Sequence, residues 1–109
     1  MTTPISAADM ASDVRLALAL AAGRPTGPAA DELRGRLRTY IGALLDPADT
    51  YAANLSDSRA RDIAMNTVRH ARAVVQDPVQ DPAANLRLLA KAVDHLARYV
   101  ALSQTGGRR

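Results

Sequence analysis

The sequence has no cysteine, no phenylalanine and no tryptophan, and it has only three tyrosines. Without cysteine there is no disulfide framework, no thiol nucleophile, no iron–sulfur cluster and no Cys-ligated zinc. Without Phe or Trp, a core must be built from aliphatic side chains. Long apolar runs are missing too. The best stretch, residues 16–22, is bounded by Arg15 and Gly23, far short of the ~20 residues a membrane span needs. The start, Met1-Thr2-Thr3-Pro4, carries no basic segment of the kind that opens a secretory signal, so the expected location is the cytoplasm.

What is present is aliphatic and arginine-rich. The 109 residues include 23 Ala, 13 Leu and 7 Val, and 48% of the chain is hydrophobic against 23% charged. That mix reads as one globular domain rather than a disordered tail. A chain of this length buries roughly 65% of its unfolded surface, enough for one modest core. We therefore expect a single helical domain over residues 1–109, ordered from about 6 to 103, with 104–109 as a tail. Arginine outnumbers lysine 13 to 1 and aspartate outnumbers glutamate 10 to 1, a pattern suggesting a GC-rich coding bias. The net charge of +3 owes two of its charges to Arg108 and Arg109. No other block of like charge exists.

Helical spacing recurs along the whole chain, and no segment alternates like a strand. Ser6 caps a first helix over residues 7–22, with Val14, Leu18 and Ala21 on one face and Gly23 as its stop. Pro28 opens a second, with Asp31 and Glu32 suited to its first turn. Its stripe is Leu33, Leu37, Tyr40, Ile41 and Leu44, resuming as Ala48, Tyr51, Ala52 and Leu55. At Asp46-Pro47 local chemistry favours a new helix, whereas the phase of the stripe favours continuation, so a helix kinked or broken at Pro47 is expected over 28–55. Ser56-Asp57-Ser58 caps a third helix ending near residue 76, with Ile63, Ala64, Thr67, Val68, Ala71, Val74 and Val75 inward. After the linker from Asp77 to Asp81, Pro82 opens a fourth helix to about 102, burying Leu86, Leu89, Ala90, Val93, Leu96, Ala97 and Val100. The fold class is all-α, an antiparallel up-and-down bundle of four helices.

A helix in a monomer shows one apolar stripe. The two terminal helices show more. Leu16 and Leu20 lie nearly opposite the inward face of the first, and Leu88, Ala92, His95, Tyr99 and Leu102 form a second stripe on the fourth. Central burial of both helices explains this, and so does an isologous homodimer interface. A core without large aromatics gains less per residue, which favours the interface.

Recognisable chemistry is sparse. His70 and His95 lie on different helices without a ligand partner at i+3 or i+4, so no metal site and no cofactor is expected. No serine stands in a Gly-x-Ser-x-Gly elbow, and no glycine-rich loop cradles phosphate. Arg34 and Arg38 are one turn apart, and Arg61, Arg69 and Arg72 ride one side of the third helix. These five form a possible nucleic-acid face, though without stacking aromatics or a recognition helix. Tyr40, Tyr51 and His70 mark a possible ligand pocket between helices.

The segment Asp31-Glu32-Leu33, then Leu37-Arg38-Thr39-Tyr40-Ile41-Gly42-Ala43-Leu44-Leu45-Asp46-Pro47-Ala48-Asp49, resembles domain-of-unknown-function family 6415. These are small actinobacterial proteins often labelled natural product biosynthesis proteins. Ala71-Arg72 and Leu89-Ala90-Lys91 extend the resemblance over most of residues 14–102. The chain departs from the pattern where Thr39-Tyr40 replaces Gly-His, where Ala48 replaces an acid, and where Tyr99-Val100 stands near a customary His-Tyr. The resemblance implies a small helical accessory protein and no established reaction. The expected function is a non-catalytic interaction or regulatory protein, self-associating or bound to a protein partner. Nucleic-acid binding and small-molecule binding are the alternatives, and no membrane role is expected.

Overall fold

The computed structural model describes residues 6–76 and 78–106, with side chains to Gln104. Asp77 of the expected linker, the first five residues and the tail after Gly106 lie outside the described residues. Four α-helices account for the architecture: α1 (Ala7–Gly23), α2 (Pro28–Ala53), α3 (Ser58–Gln76) and α4 (Pro82–Gly106). No strand occurs among the described residues.

Each helix start has a local cause. The Ser6 hydroxyl accepts from the Ala8 and Asp9 backbone amides at 3.1 and 3.3 Å. Asp57 accepts from the Ala60 amide at 2.9 Å, and Asp81 from the Ala84 amide at 3.1 Å. Each bond satisfies one of the free donors of a first turn. α2 instead starts after Gly27, whose φ of 104° only glycine adopts readily, with Pro28 pre-set for the first helical position.

Of the two states expected at Pro47, kinked or broken, the broken one does not occur: α2 is one helix from Pro28 to Ala53. Local capping by Asp46 loses to the stripe. A continuous helix keeps Leu44, Ala48 and Ala52 on one buried face. Against that burial stands one lost backbone bond and the strain of an interior proline, about 3 kcal/mol. α4 also runs beyond 102, to Gly106.

α2 and α4 form the central pair, and their contact is the most extensive in the molecule. α1 leans mainly on α4 and also touches α2. α3 bridges α2 and α4 from another side, and α1 and α3 share no contact among the described residues. The central pair supplies the large fully buried side chains, Leu33, Leu37 and Ile41 from α2 and Leu86, Leu89, Val93 and Leu96 from α4. The outer helices contribute smaller ones: Ala17 and Ala21 from α1, and Ala64, Val68, Ala71 and Val74 from α3. Small side chains at these contacts permit close helix approach.

Two inward assignments are corrected. Leu18 is 45% exposed, whereas Leu20 packs against the core. The inward face of α1 is Met10, Val14, Ala17 and Ala21, spaced i+4, i+3, i+4, and Leu18 falls one residue off it. Ile63, expected inside, is 56% exposed. It sits one position before Ala64, the first of the buried Ala64, Val68 and Ala71, on the edge of the α3 stripe.

Candidate functional site

The polar side chains divide into those locked within the fold and those left on its surface. Arg34 is the most deeply locked, at 4% exposure. Its Nε donates to the Asn85 side-chain oxygen at 2.9 Å, and its Nη2 donates to the Pro25 and Pro82 carbonyls at 2.8 and 2.7 Å. Nη1 donates to Asp31 at 3.3 Å. One guanidinium thus ties α2 to the loop before it and to the first turn of α4, and Asn85 is buried with it. A planar fork with five donors suits several fixed acceptors at once. The expectation that Arg34 belongs to a phosphate-binding face is therefore corrected: its donors are turned into the fold.

A second junction links α1 and α2. Arg36 grips Asp13 through Nε at 3.0 Å and Nη2 at 3.2 Å, and donates to Glu32 through Nη1 at 3.2 Å. The Tyr40 hydroxyl donates to the same Asp13 carboxylate at 2.6 Å. The Arg36 hydrogen bond holds the Asp13 carboxyl below its usual range, against the opposing effect of burial and with help from Tyr40. The same contact raises Arg36. The bond to the Asp13 carboxylate, followed by burial, pushes the Tyr40 phenol up to about 12. Tyr40 at high pKa remains a hydrogen-bond donor at neutral pH, which suits a structural clasp.

The surface set is different. Tyr99 of α4 stacks on Tyr51 of α2, with ring centroids 5.5 Å apart and planes 24° apart. Its hydroxyl reaches Thr67 of α3 at 3.5 Å, and Thr67 in turn donates to the Ile63 carbonyl at 3.0 Å. Ile63 and Leu102, 56% and 53% exposed, are the most exposed large hydrophobic side chains described. His70 and His95 are also exposed, on α3 and α4.

The residues expected at an interface do not form one patch. Ala92 is buried in the core, and Leu20, Leu88 and Tyr99 are half-buried against it. Leu16 is exposed on α1, which meets α4 along Val93, Ala97 and Val100. Tyr99 turns the other way, towards α2 and α3. Between these two sides α4 presents the exposed Arg87, Lys91 and Arg98, the last paired with Asp94 at 3.2 Å. A charged ridge therefore separates Leu16 from His95, Tyr99 and Leu102.

The model of a family of unknown function, DUF6415, matches residues 8–104, from the first turn of α1 to near the end of α4. The chain belongs to this family. No curated protein and no solved structure matches it. Three residues that the sequence reading singled out have structural roles in this DUF6415 chain. Tyr40 is the clasp on Asp13, Ala48 is sealed in the core, and Tyr99 joins α4 to α2 and α3.

The remaining arginines are scattered. Arg61 donates to the Leu55 carbonyl at 3.0 Å, closing the end of α2, and Arg69 donates to Asn66 at 2.8 Å. Arg69 and Arg72 border shallow depressions between α2 and α3 that also hold Asp46 and Asp49. Arg38 is half-buried, and its Nε is enclosed without a hydrogen-bond partner. Acids thus interleave with the arginines along this groove. Tyr40, Tyr51 and His70 do not converge either: Tyr40 faces α1, Tyr51 faces Tyr99, and His70 is exposed. Among the described residues, no helix is long and apolar enough to cross a membrane, and no three His, Cys, Asp or Glu are grouped to hold a metal.

Proposed function

We propose that this chain is a non-catalytic helical interaction protein that associates with a second copy through the α3–α4 face. The observation that carries the proposal is the exposure of Ile63 and Leu102 beside the Thr67–Tyr99 contact. α3 and α4 are joined by a short loop, and helices joined in that way run as opposed neighbours. Counting outward from Thr67 and Tyr99, four residues back on α3 and three forward on α4 give Ile63 and Leu102. Three forward and four back give His70 and His95. Each pair falls at one level, so a single strip along the two helices holds both exposed aliphatics and both histidines.

A two-fold contact needs only one such strip, because each copy offers the same surface. Burying an Ile or Leu fully is worth about 1.5–3 kcal/mol, so covering the exposed half of four such side chains yields about 4 kcal/mol. That supports weak, reversible association and suits a regulatory partner. The family resemblance supports an accessory role linked to natural product biosynthesis in the cytoplasm. Light scattering on a size-exclusion column tests the association. At about millimolar protein, where a gain of about 4 kcal/mol places half-association, the expected mass exceeds the 11.5 kDa of one chain and falls on dilution. A mass of one chain at every concentration refutes self-association.

A further inference from the structure

Pro47 shapes a recess that is separate from the α3–α4 face. The recess has a volume of about 350 Å³ and lies where the start of α1, the middle of α2 and the end of α4 meet. Its lining is aliphatic, with Met10, Leu44, Ala97 and Val100 around Ala43 and Pro47, and Gln104 is the one polar side chain among the lining residues. A smaller depression continues from it along the α1–α4 seam, past Val14 and Val93. In a regular helix the Ala43 carbonyl would accept from the amide of residue 47. Proline has no amide hydrogen to give. A helical carbonyl points along the axis towards residue i+4, so this acceptor lies between Ala43 and Pro47, and both residues line the recess.

We propose that this recess is a binding site for a small, largely apolar molecule bearing one hydrogen-bond donor, with the donor placed on the Ala43 carbonyl. The volume sits at the low end of small-molecule sites, which favour apolar walls and a few placed polar groups. The exposed leucines that would serve a protein partner, Leu16, Leu18 and Leu102, lie outside the lining. That separates the recess from a docking surface and commits it to a small occupant. The interior proline, costly for helix stability, acquires a purpose as the residue that frees the acceptor.

The test uses indole, an apolar ring system with one N–H, and 1-methylindole, which lacks the donor. Binding is followed at the methyl group of Met10 by NMR on methionine-labelled protein. Indole is expected to shift this signal saturably and to bind at least about fivefold more tightly than 1-methylindole. Pro47→Ala restores an amide hydrogen to the Ala43 carbonyl and is expected to erase that preference. Ala43→Leu fills the recess from an exposed position and is expected to abolish the shift, and Ala97→Leu is expected to do the same from the opposite wall. The proposal fails if indole gives no saturable shift at Met10, if both filling variants still bind, or if the preference for indole survives Pro47→Ala. It also fails if the Met10 signal moves with protein concentration alone, since a second copy would then be the occupant.

Discussion

Replacing Arg34 with methionine tests the structural reading of the end of the bundle. The side chain is 5% exposed and has four acceptors. Asp31 is 76% exposed, so its pairing adds little. The other three acceptors matter. Arg34→Met keeps much of the apolar volume but leaves the buried Asn85 oxygen without its donor, at a cost of about 1–3 kcal/mol. The bonds to the Pro25 and Pro82 carbonyls are only partly buried, and each forfeits about 0.5–1 kcal/mol. The expected loss is about 2–5 kcal/mol, a large part of the 5–15 kcal/mol of a typical domain. In a chain of this length, that lowers Tm by roughly 8–20 °C. Urea unfolding followed by circular dichroism measures it, with an unchanged slope showing that the folded state is intact. Arg34→Lys is expected to recover little, because an ammonium cannot span acceptors on three segments. Combining Arg34→Met with Asn85→Leu is expected to cost less than the sum of the single changes, because the orphaned oxygen leaves with its donor. An Arg34→Met variant within about 0.5 kcal/mol of wild type, well below the smallest loss expected from the buried Asn85 oxygen alone, refutes the reasoning.

Four further outcomes are expected. Tyr40→Phe removes the hydroxyl from Asp13 and costs about 1–2 kcal/mol at neutral pH by urea unfolding. Tyr40 has a raised folded pKa, about 12 against 10.0, so its contribution is complete below pH 10 and is lost as pH climbs towards 12. The stability gap between wild type and Tyr40→Phe should therefore narrow across that window, and a constant gap contradicts the assignment. Asp13 has a lowered folded pKa, so its contribution is present above the ordinary carboxyl value of 3.8 and is lost as pH falls through the folded pKa. Asp13→Asn should accordingly flatten the acid limb of the stability profile, measured by the same unfolding method. Gly42→Ala adds a methyl group with no atom within 4 Å in a helix interior and should stabilise by about 0.5–1 kcal/mol in thermal melts. Gly27→Ala should destabilise by a comparable or larger amount, because its φ is 104°.

The helix starts were legible because capping is local. Ser6, Asp57 and Asp81 need only the amides two or three residues on, and each bond is formed. The α2 stripe was legible for the same reason of spacing. At Pro47 the sequence points both ways: local capping favours a break, while the phase of the stripe favours continuation, which the buried Ala48 and Ala52 reward through contacts with other helices. The orientation of α1 was ambiguous because leucines lie all round it, and its inward face is marked by alanines. Residue type alone groups Arg34 with the surface arginines. A signal existed in its position: Ala30, Arg34, Leu37, Ile41, Leu44 and Ala48 recur at i+4 and i+3, so the arginine falls on the buried stripe. Its partner Asn85 carries no such mark, since their contact spans 51 positions of sequence. An apolar residue at the edge of a stripe, such as Ile63, has the same spacing whether a neighbour covers it or not.

Association through the α3–α4 face is tested most directly by sedimentation equilibrium on three proteins over a wide concentration range. These are the wild type, the Ile63→Asp/Leu102→Asp variant, and a Leu16→Asp/Leu18→Asp variant that places the same charges on α1. A wild-type monomer–dimer equilibrium, abolished by the first variant and unchanged by the second, is the expected result. A monomeric wild type, or a dimer lost through the α1 variant and retained by the α3–α4 variant, contradicts it.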